Sequence, residues 1–376
     1  MSKRILRRAT KVILISCNIL LAICLLAGCY TSWFNAEKYW FLGFLTLAAF
    51  YLLLVLIGFI IFWLFAKKGL TLISIITIAV CWKPLREVVA IRMPADFSIK
   101  KDSSNLRVMS WNVEHFDILE HKSHPERKDE MIDMINDYQP DVACFQEMVA
   151  SDLFPSAINY VPDFKTRLNM ADYLYSYNYK LDFDSKHHFG IIIFSKYPII
   201  KKQTMAYDQR DYNSTFQYVD IVKNADTFRV FNIHLQSLKF SHENRRYIDD
   251  PTMKNENDIE ESKNVIAKFK VGFLKRKLQS DYIRLAMDQS PYPIIVCGDF
   301  NDVPNSYAYK NIGKGLKNAF TEKGFAIGRT FYSISPTLRI DNIFMDERFD
   351  VKQYVRVKKK LSDHFPIIAD LHYVKE

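Results

Sequence analysis

Two patterns of apolar and polar positions divide the chain near residue 95. Before it, residues 12–30 and 39–66 are uncharged apolar runs, each reaching the roughly 20 residues that a bilayer-spanning helix needs. A third run, 69–82, is shorter and as a helix reaches only about 21 Å, so it crosses if the bilayer thins or if Lys83 and Arg86 snorkel. Otherwise it is an interfacial or buried core helix. Beyond residue 95, short apolar runs alternate with amphipathic stretches, the pattern of an α/β domain. Strands are expected at 107–111, 141–146, 190–195, 229–235, 293–298, 339–345 and 366–372, mostly continuous apolar runs suited to burial on both faces. A helix is expected after Ser123, whose spacing to Glu126 fits a capping box, with Met131, Met134, Ile135 and Tyr138 on one face and Pro140 as its stop. A second helix should cover 258–288, where Val265, Phe269 and Phe273 recur every fourth residue. The charged, weakly periodic segment 241–257 reads as a surface loop.

Charge adds direction to this picture. Lys3, Arg4, Arg7, Arg8 and Lys11 precede the first run and Lys67 and Lys68 follow the second, whereas the first connection holds only Glu37 and Lys38. This asymmetry sets the N-terminus in the cytoplasm; three crossings then carry the C-terminal domain outside, and two leave it inside. The overall excess, 51 Lys plus Arg against 42 Asp plus Glu, suits phosphate-bearing partners or an anionic bilayer surface but names no substrate. The six cysteines sit in apolar segments or expected strands and read as buried thiols rather than a disulfide framework. A competing reading attaches to Leu26-Ala27-Gly28-Cys29, which resembles a lipoprotein signal with Cys29 lipidated. Against it, a long second apolar run just downstream makes a lipid anchor redundant.

Candidate chemistry collects at strand ends. Asn112, Glu147 and His234 each follow an apolar run; Asp299 and Asn301 follow another; Asp341 lies inside one; and Asp363 and His364 immediately precede the last. Cleavage of a phosphate ester needs a divalent cation or equivalent charge, a base for water, and donors to the non-bridging oxygens, and these residue types supply each role. In isolation Asp, Asn and Ser at strand ends read as turn chemistry, and the alternative readings are a helix-start carboxylate for Glu147 and a satisfied core histidine for His234. His115, His121, His124, His187, His188 and His242 read as surface or loop residues, and zinc spacing is absent. The runs Lys358-Lys359-Lys360 and Lys275-Arg276-Lys277 read as solvated charge, although the first could draw in an anion.

The blocks SWNVEHF, DVACFQEM, GIIIFSKYPI, FNIHLQS, PIIVCGDFNDVPNSYAY, RIDNIF and LSDHFPI, in that order over residues 106–371, resemble the endonuclease/exonuclease/phosphatase superfamily. One block alone is weak; seven in register are specific. The resemblance implies a four-layer α/β sandwich of the pancreatic deoxyribonuclease type, two mixed sheets flanked by helices, over residues 96–376, and the apolar runs before it read as a membrane anchor at 1–95 with about three helices. It implies an enzyme that cleaves phosphate esters by in-line attack of water. Glu147 would be the principal ligand of Mg²⁺, or of Mn²⁺ in its place, with Asn112 and Asp363 completing or flanking the site. Asp299 would activate the water and Asn301 would hold that water or a phosphate oxygen. His364, oriented by Asp341, would contact the phosphate, with His234 as a second donor. Asn342 departs from the pattern, in which tyrosine commonly follows the aspartate.

Expected partners are a lipid bilayer and a phosphate-ester substrate: nucleic acid, a phospholipid head group or an inositol phosphate. No obligate protein partner is inferred. The alternatives to a phosphodiesterase or nuclease are a lipid or inositol phosphate hydrolase and a catalytically silent scaffold, the latter disfavoured because no expected catalytic position is substituted. The expected location is a bacterial inner membrane, with several crossings and the catalytic domain on the periplasmic side.

Overall fold

In the computed structural model, residues 3–93, 95–114, 124, 126–153, 157–178, 186–207, 214–249 and 256–375 are described. The first two apolar runs become antiparallel helices, α1 (Lys3–Cys29) and α2 (Leu42–Ala66), both long and apolar enough to cross a membrane. The third run is not one helix. A 3-10 turn at Lys68–Leu70 leads into α3 (Thr71–Val80), and the chain bends by 69° before α4 (Trp82–Val88). Pro84 explains the break, because it lacks an N–H and its ring clashes with the carbonyl one turn back, tolerable only in a first turn. Ser74 Oγ donates to Asn18 Oδ1 midway along α1, and Tyr30 Oη, at the end of α1, donates to Val80 O. Thus α3 climbs beside α1 toward the connection between α1 and α2.

After β1 (Ala90–Ile91) the chain alternates strands and helices: β2 (Leu106–Asn112), α5 (Arg127–Tyr138), β3 (Val142–Ala150), α6 (Val161–Arg167), β4 (Asp172–Tyr177), β5 (His188–Ser195) and β6 (Ile199–Ala206). Next come β7 (Thr215–Lys223), β8 (Asp226–His234), α7 (His242–Asp249), α8 (Glu256–Asp288), β9 (Ile294–Asp299), α9 (Tyr307–Ile312), β10 (Leu316–Asn318) and α10 (Ala319–Lys323). The short β11 (Phe325–Ala326), then β12 (Asp341–Asp346), β13 (Phe349–Arg356) and β14 (Ile367–Tyr373) complete it. Among the described residues two six-stranded sheets form, ordered β10-β12-β9-β8-β7-β6 and β13-β14-β2-β3-β5-β4. Each has one parallel pair at its centre, β8 with β9 and β2 with β3, so both are mixed.

Side chains alternate along each strand, which builds four layers from continuous apolar runs. Val108, Cys144, Val230, Cys297 and Ile343 are buried together between the sheets. On the outer face of one sheet Trp111, Phe145 and Phe194 meet Met131, Ile135 and Phe164 of α5 and α6. On the other, Phe231, Val296 and Phe344 meet Ile283 and Met287 of α8 and Ile312 of α9. This is the expected sandwich. The capping box is not tested, since Ser123 lies outside the described residues. The segment 241–257 is corrected in part: α7 occupies Ser241's C-terminal side, with Arg245 N–H donating to Ser241 O. Its charged, strongly one-sided sequence forms a surface helix, which an apolar-periodicity criterion passes over.

The helical region is seated on the sandwich by its α1–α2 connection end. Ala90–Ile91 pair with Phe325–Ala326, Asn305 Nδ2 donates to Pro84 O at 3.0 Å, and Lys310 pairs with Glu87 at 2.6 Å. The Phe44 ring of α2 lies edge-on to Phe269 and Phe273 of α8, centroids 5.1 and 5.7 Å apart. Gly43 permits that approach: a Cβ there would stand 2.6 Å from the Phe273 ring.

Candidate active site

The central strands of the two sheets, β2 and β3 in one and β8 and β9 in the other, end at one edge of the sandwich, and strand pairing decides what meets there. Asp299 ends β9 with His234 of β8 beside it in parallel register and Asp341 of β12 opposite in antiparallel register. Gly298, just before, has φ +146°, and a Cβ would lie 1.9 Å from Ile233 O, so only glycine lets β9 approach β8 this closely. In the other sheet, Glu147 sits at an irregularity in the β3–β5 pairing with φ +60°, a left-handed conformation that re-aims its side chain toward the cleft. Asn112, the last residue of β2, joins the sheets: its Nδ2 donates to Glu147 Oε1 and to Asp299 Oδ2, both at 3.2 Å.

His364 enters from the turn before β14. Its Nδ1–H donates to Asp341 Oδ2 at 2.8 Å, while Nε2 faces Asp299 Oδ2 at 3.7 Å and Asp363 Oδ1 at 3.8 Å. The turn is held by Trp111 Nε1–H donating to His364 O at 2.9 Å and Ser362 Oγ–H donating to Asn112 O at 2.7 Å. His234 Nε2 lies 3.6 Å from Asp299 Oδ2 and 3.8 Å from Glu147 Oε1. Asn301, at φ +48°, donates its N–H to Asp299 Oδ1 at 2.7 Å and its amide to Leu235 O at 2.9 Å. All eight residues singled out in the sequence therefore converge on one site.

The electrostatics follow from that crowding. Burial pushes the Asp299 carboxyl up to about 7, His364 opposing and Asp341 adding to the rise. Burial also lifts Asp363 to about 7, against His364 and with help from Glu114 and Glu147. Burial alone would lower His364, but Asp341, Asp299 and Asp363 outweigh it and hold the imidazole well above its usual range. The site thus offers an imidazolium locked by a buried carboxylate, beside a carboxyl balanced near neutral pH.

The donor set fits a hard divalent cation. Glu147, Asp299 and Asp363 bring oxygen only, Glu147 and Asp363 repel each other, and Asp341 Oδ1 is buried with no hydrogen-bond partner. Asn112 presents its NH₂ to the two carboxylates and its Oδ1 to the Glu114 N–H, so ligation through oxygen requires that its amide turn over. A second grouping, Asp299, Asp341 and His364, has ligand atoms all within 4.8 Å. A cation there would share Asp341 with the His364 Nδ1–H bond, and the mixed nitrogen and oxygen set suits a transition ion better than Mg²⁺.

Residues the sequence reading passed over are Glu114, whose Oε2 accepts the Asp363 N–H at 2.8 Å, and Phe331, whose ring lies 4.9 Å from that of His364. Glu114 stands in the SWNVEHF block two positions after Asn112, a signal that was present; Phe331 follows no pattern. Asn342 turns into the fold instead, accepting from Asn318 Nδ2 at 3.1 Å.

Residues 109–364 match the Endonuclease/Exonuclease/phosphatase family, and residues 10–88 match a domain of unknown function, DUF8431. A crystal structure of a family protein from Bacteroides thetaiotaomicron aligns with a TM-score of 0.52 at 18% identity, over 72% of this chain and 98% of that one, which speaks for the fold. Human nocturnin's catalytic domain aligns at 0.48, with 16% identity over 72% of this chain and 94% of that one. A Bacteroides thetaiotaomicron mannosyl-6-phosphatase aligns at 0.46, with 19% identity over 71% and 99%. No curated protein matches the chain.

Proposed function

Because the chain belongs to the endonuclease/exonuclease/phosphatase family and is a phosphoester-hydrolysing enzyme, we propose that it acts by direct in-line attack of water on phosphorus, without a covalent enzyme intermediate. The observation that carries this reading is the His364–Asp341 pair, facing Asp299 across a cleft rimmed by carboxylates. Asp299 takes the proton from water; a carboxyl near pH 7 is well matched to that task, and Asn301 N–H and Asn112 Nδ2 fix its orientation. Asn301 keeps its Oδ1 for the water, its amide nitrogen being committed to Leu235 O. The His364 imidazolium stabilises charge on the non-bridging oxygens, and Asp341 holds its ring and proton in place. His234 is a second phosphate donor. A Mg²⁺ or Mn²⁺ ion, when bound, supplies charge neutralisation at the phosphate. Glu147 and Asp363 would hold it, with Asn112 after its amide turns.

Two features support a membrane-held enzyme with the catalytic domain on the face away from the basic N-terminus. The sandwich docks against the end of α2 near Leu42, opposite Lys67 and Lys68, and α3 ends beside Tyr30 rather than turning back. This favours three crossings and, in a bacterial inner membrane, a periplasmic active site. Hydrolysis in H₂¹⁸O of a phosphorothioate diester of known configuration at phosphorus tests the mechanism. Inversion in the ¹⁶O,¹⁸O-thiophosphate product is expected of a single displacement by water. Retention would mean two displacements through an enzyme-bound ester and overturn direct attack.

A further inference from the structure

We propose that the substrate is amphiphilic, a phosphate ester carried on a long hydrocarbon chain, with its phosphate at His364 and its chain laid along α2 toward the bilayer. This rests on the phosphoester hydrolysis read above. The active-site cleft has a volume of about 650 Å³, and one end of it is lined by the carboxylates and histidines described above. The other end is walled by Phe44, Leu47, Ala48 and Tyr51 of α2, a span-length apolar helix, with Leu238 and Leu338 across from them. Positions 44, 47, 48 and 51 fall on one helical face.

That face does not stop at the cleft. Val55 and Phe62 continue it, 46% and 45% exposed, with open space at Gly58 between them. A chain leaving the cleft at Tyr51 therefore meets apolar surface for a further stretch of about 16 Å, at 1.5 Å per helical residue. Cations line the cleft as well: the two histidines stand among its carboxylates, and Lys239 and Arg245 belong to its lining. A polynucleotide would instead need basic residues along the path of successive phosphates, where the α2 wall offers Phe44, Leu47, Ala48 and Tyr51. The bond change is simple. Water oxygen joins phosphorus, the P–O ester bond breaks, and the departing oxygen carries off the proton that water gave up.

The test uses the full chain in lipid nanodiscs with Mg²⁺ and compares butyl with hexadecyl p-nitrophenyl phosphate, in the parent and in Ala48→Trp, which fills the groove. Partition into the disc is common to both proteins, so the change in the hexadecyl-to-butyl ratio of kcat/KM isolates the groove. Burying one methylene is worth about fourfold, and blocking even part of the chain path should lower that ratio at least tenfold. Leu47→Ala, which removes wall without adding bulk, should lower it by about two- to tenfold and carries the test if Ala48→Trp fails to fold. A ratio unchanged in folded variants overturns the lipid reading and leaves phosphoester hydrolysis standing. Faster cleavage of a single-stranded oligonucleotide than of the hexadecyl ester by the parent overturns it equally. If the parent with Mg²⁺ cleaves none of these, the phosphoesterase reading fails, and the lipid reading falls with it.

Discussion

Replacing Asp341 by Asn changes one buried oxygen to an NH₂ while keeping size and shape, and it isolates what the carboxylate does for His364. In the parent, His364 Nδ1–H donates to Asp341 Oδ2 at 2.8 Å, with both side chains buried. A hydrogen bond to a charged partner contributes about 1.5–3 kcal/mol. If that is expressed in full when negative charge builds on phosphate, at 1.36 kcal/mol per factor of ten the loss in kcat/KM is about 10- to 150-fold. The pH profile separates this from a packing defect. Asp341 helps to hold the imidazolium well above its usual range, so in Asp341→Asn the high-pH limb should move to lower pH. Asp341→Glu should restore its position in part. Steady-state hydrolysis of bis(p-nitrophenyl) phosphate across pH, with thermal unfolding as a check on folding, gives both readouts. Activity within threefold of the parent and an unmoved limb would refute the assigned partnership.

Stability of the chelated protein should depend on pH with a definite sign. The folded Asp299 and Asp363 carboxyls are raised to about 7, above the values of an unfolded chain, so folding holds their protons. Their contribution is complete below the unfolded pKa of about 4 and is lost as pH rises toward 7. His364, also raised, adds to the loss at higher pH. Thermal unfolding in detergent with EDTA should show melting falling between pH 4 and 7, less steeply in Asp299→Asn; a flat or rising curve would contradict the burial-driven shifts. Topology has its own readout, protease added to spheroplasts with an intact inner membrane. Cleavage of the sandwich is expected, and protection that ends on membrane rupture would mean an even number of crossings.

Fold class and most of the site were legible in the sequence because central strands buried on both faces read as continuous apolar runs, each ending in a polar residue that the sheet edge gathers. Asp141-to-Gln146 and Pro293-to-Gly298 are of this kind, and their observed counterparts, Val142–Ala150 and Ile294–Asp299, differ mainly at the ends. Strands with mixed patterns were not legible. Ile199–Ala206 is an edge strand whose Lys201, Lys202 and Gln203 are exposed, and Phe349–Arg356 interleaves charge with apolar residues. The break at Cys81 was hidden because Pro84, which causes it, lies beyond the apolar run 69–82 that defined the segment. The amphipathic helix His242–Asp249 carries too few apolar residues to register. Least legible was the α2 wall of the cleft, since nothing in residues 44–51 distinguishes a lipid-facing helix turn from one that lines a catalytic site until the two regions are seen packed together.

The most direct test of the central claim is Mg²⁺-dependent hydrolysis of bis(p-nitrophenyl) phosphate by the purified full chain, beside Glu147→Ala and His364→Ala shown to be folded. If Glu147 holds the ion and His364 faces the phosphate, removing either should cost at least about 100-fold in kcat/KM, roughly 2.7 kcal/mol of transition-state stabilisation. Glu147→Ala should also shift the Mg²⁺ titration to higher concentration. Equal activity in both variants and the parent, or activity indifferent to EDTA, would place the chemistry elsewhere.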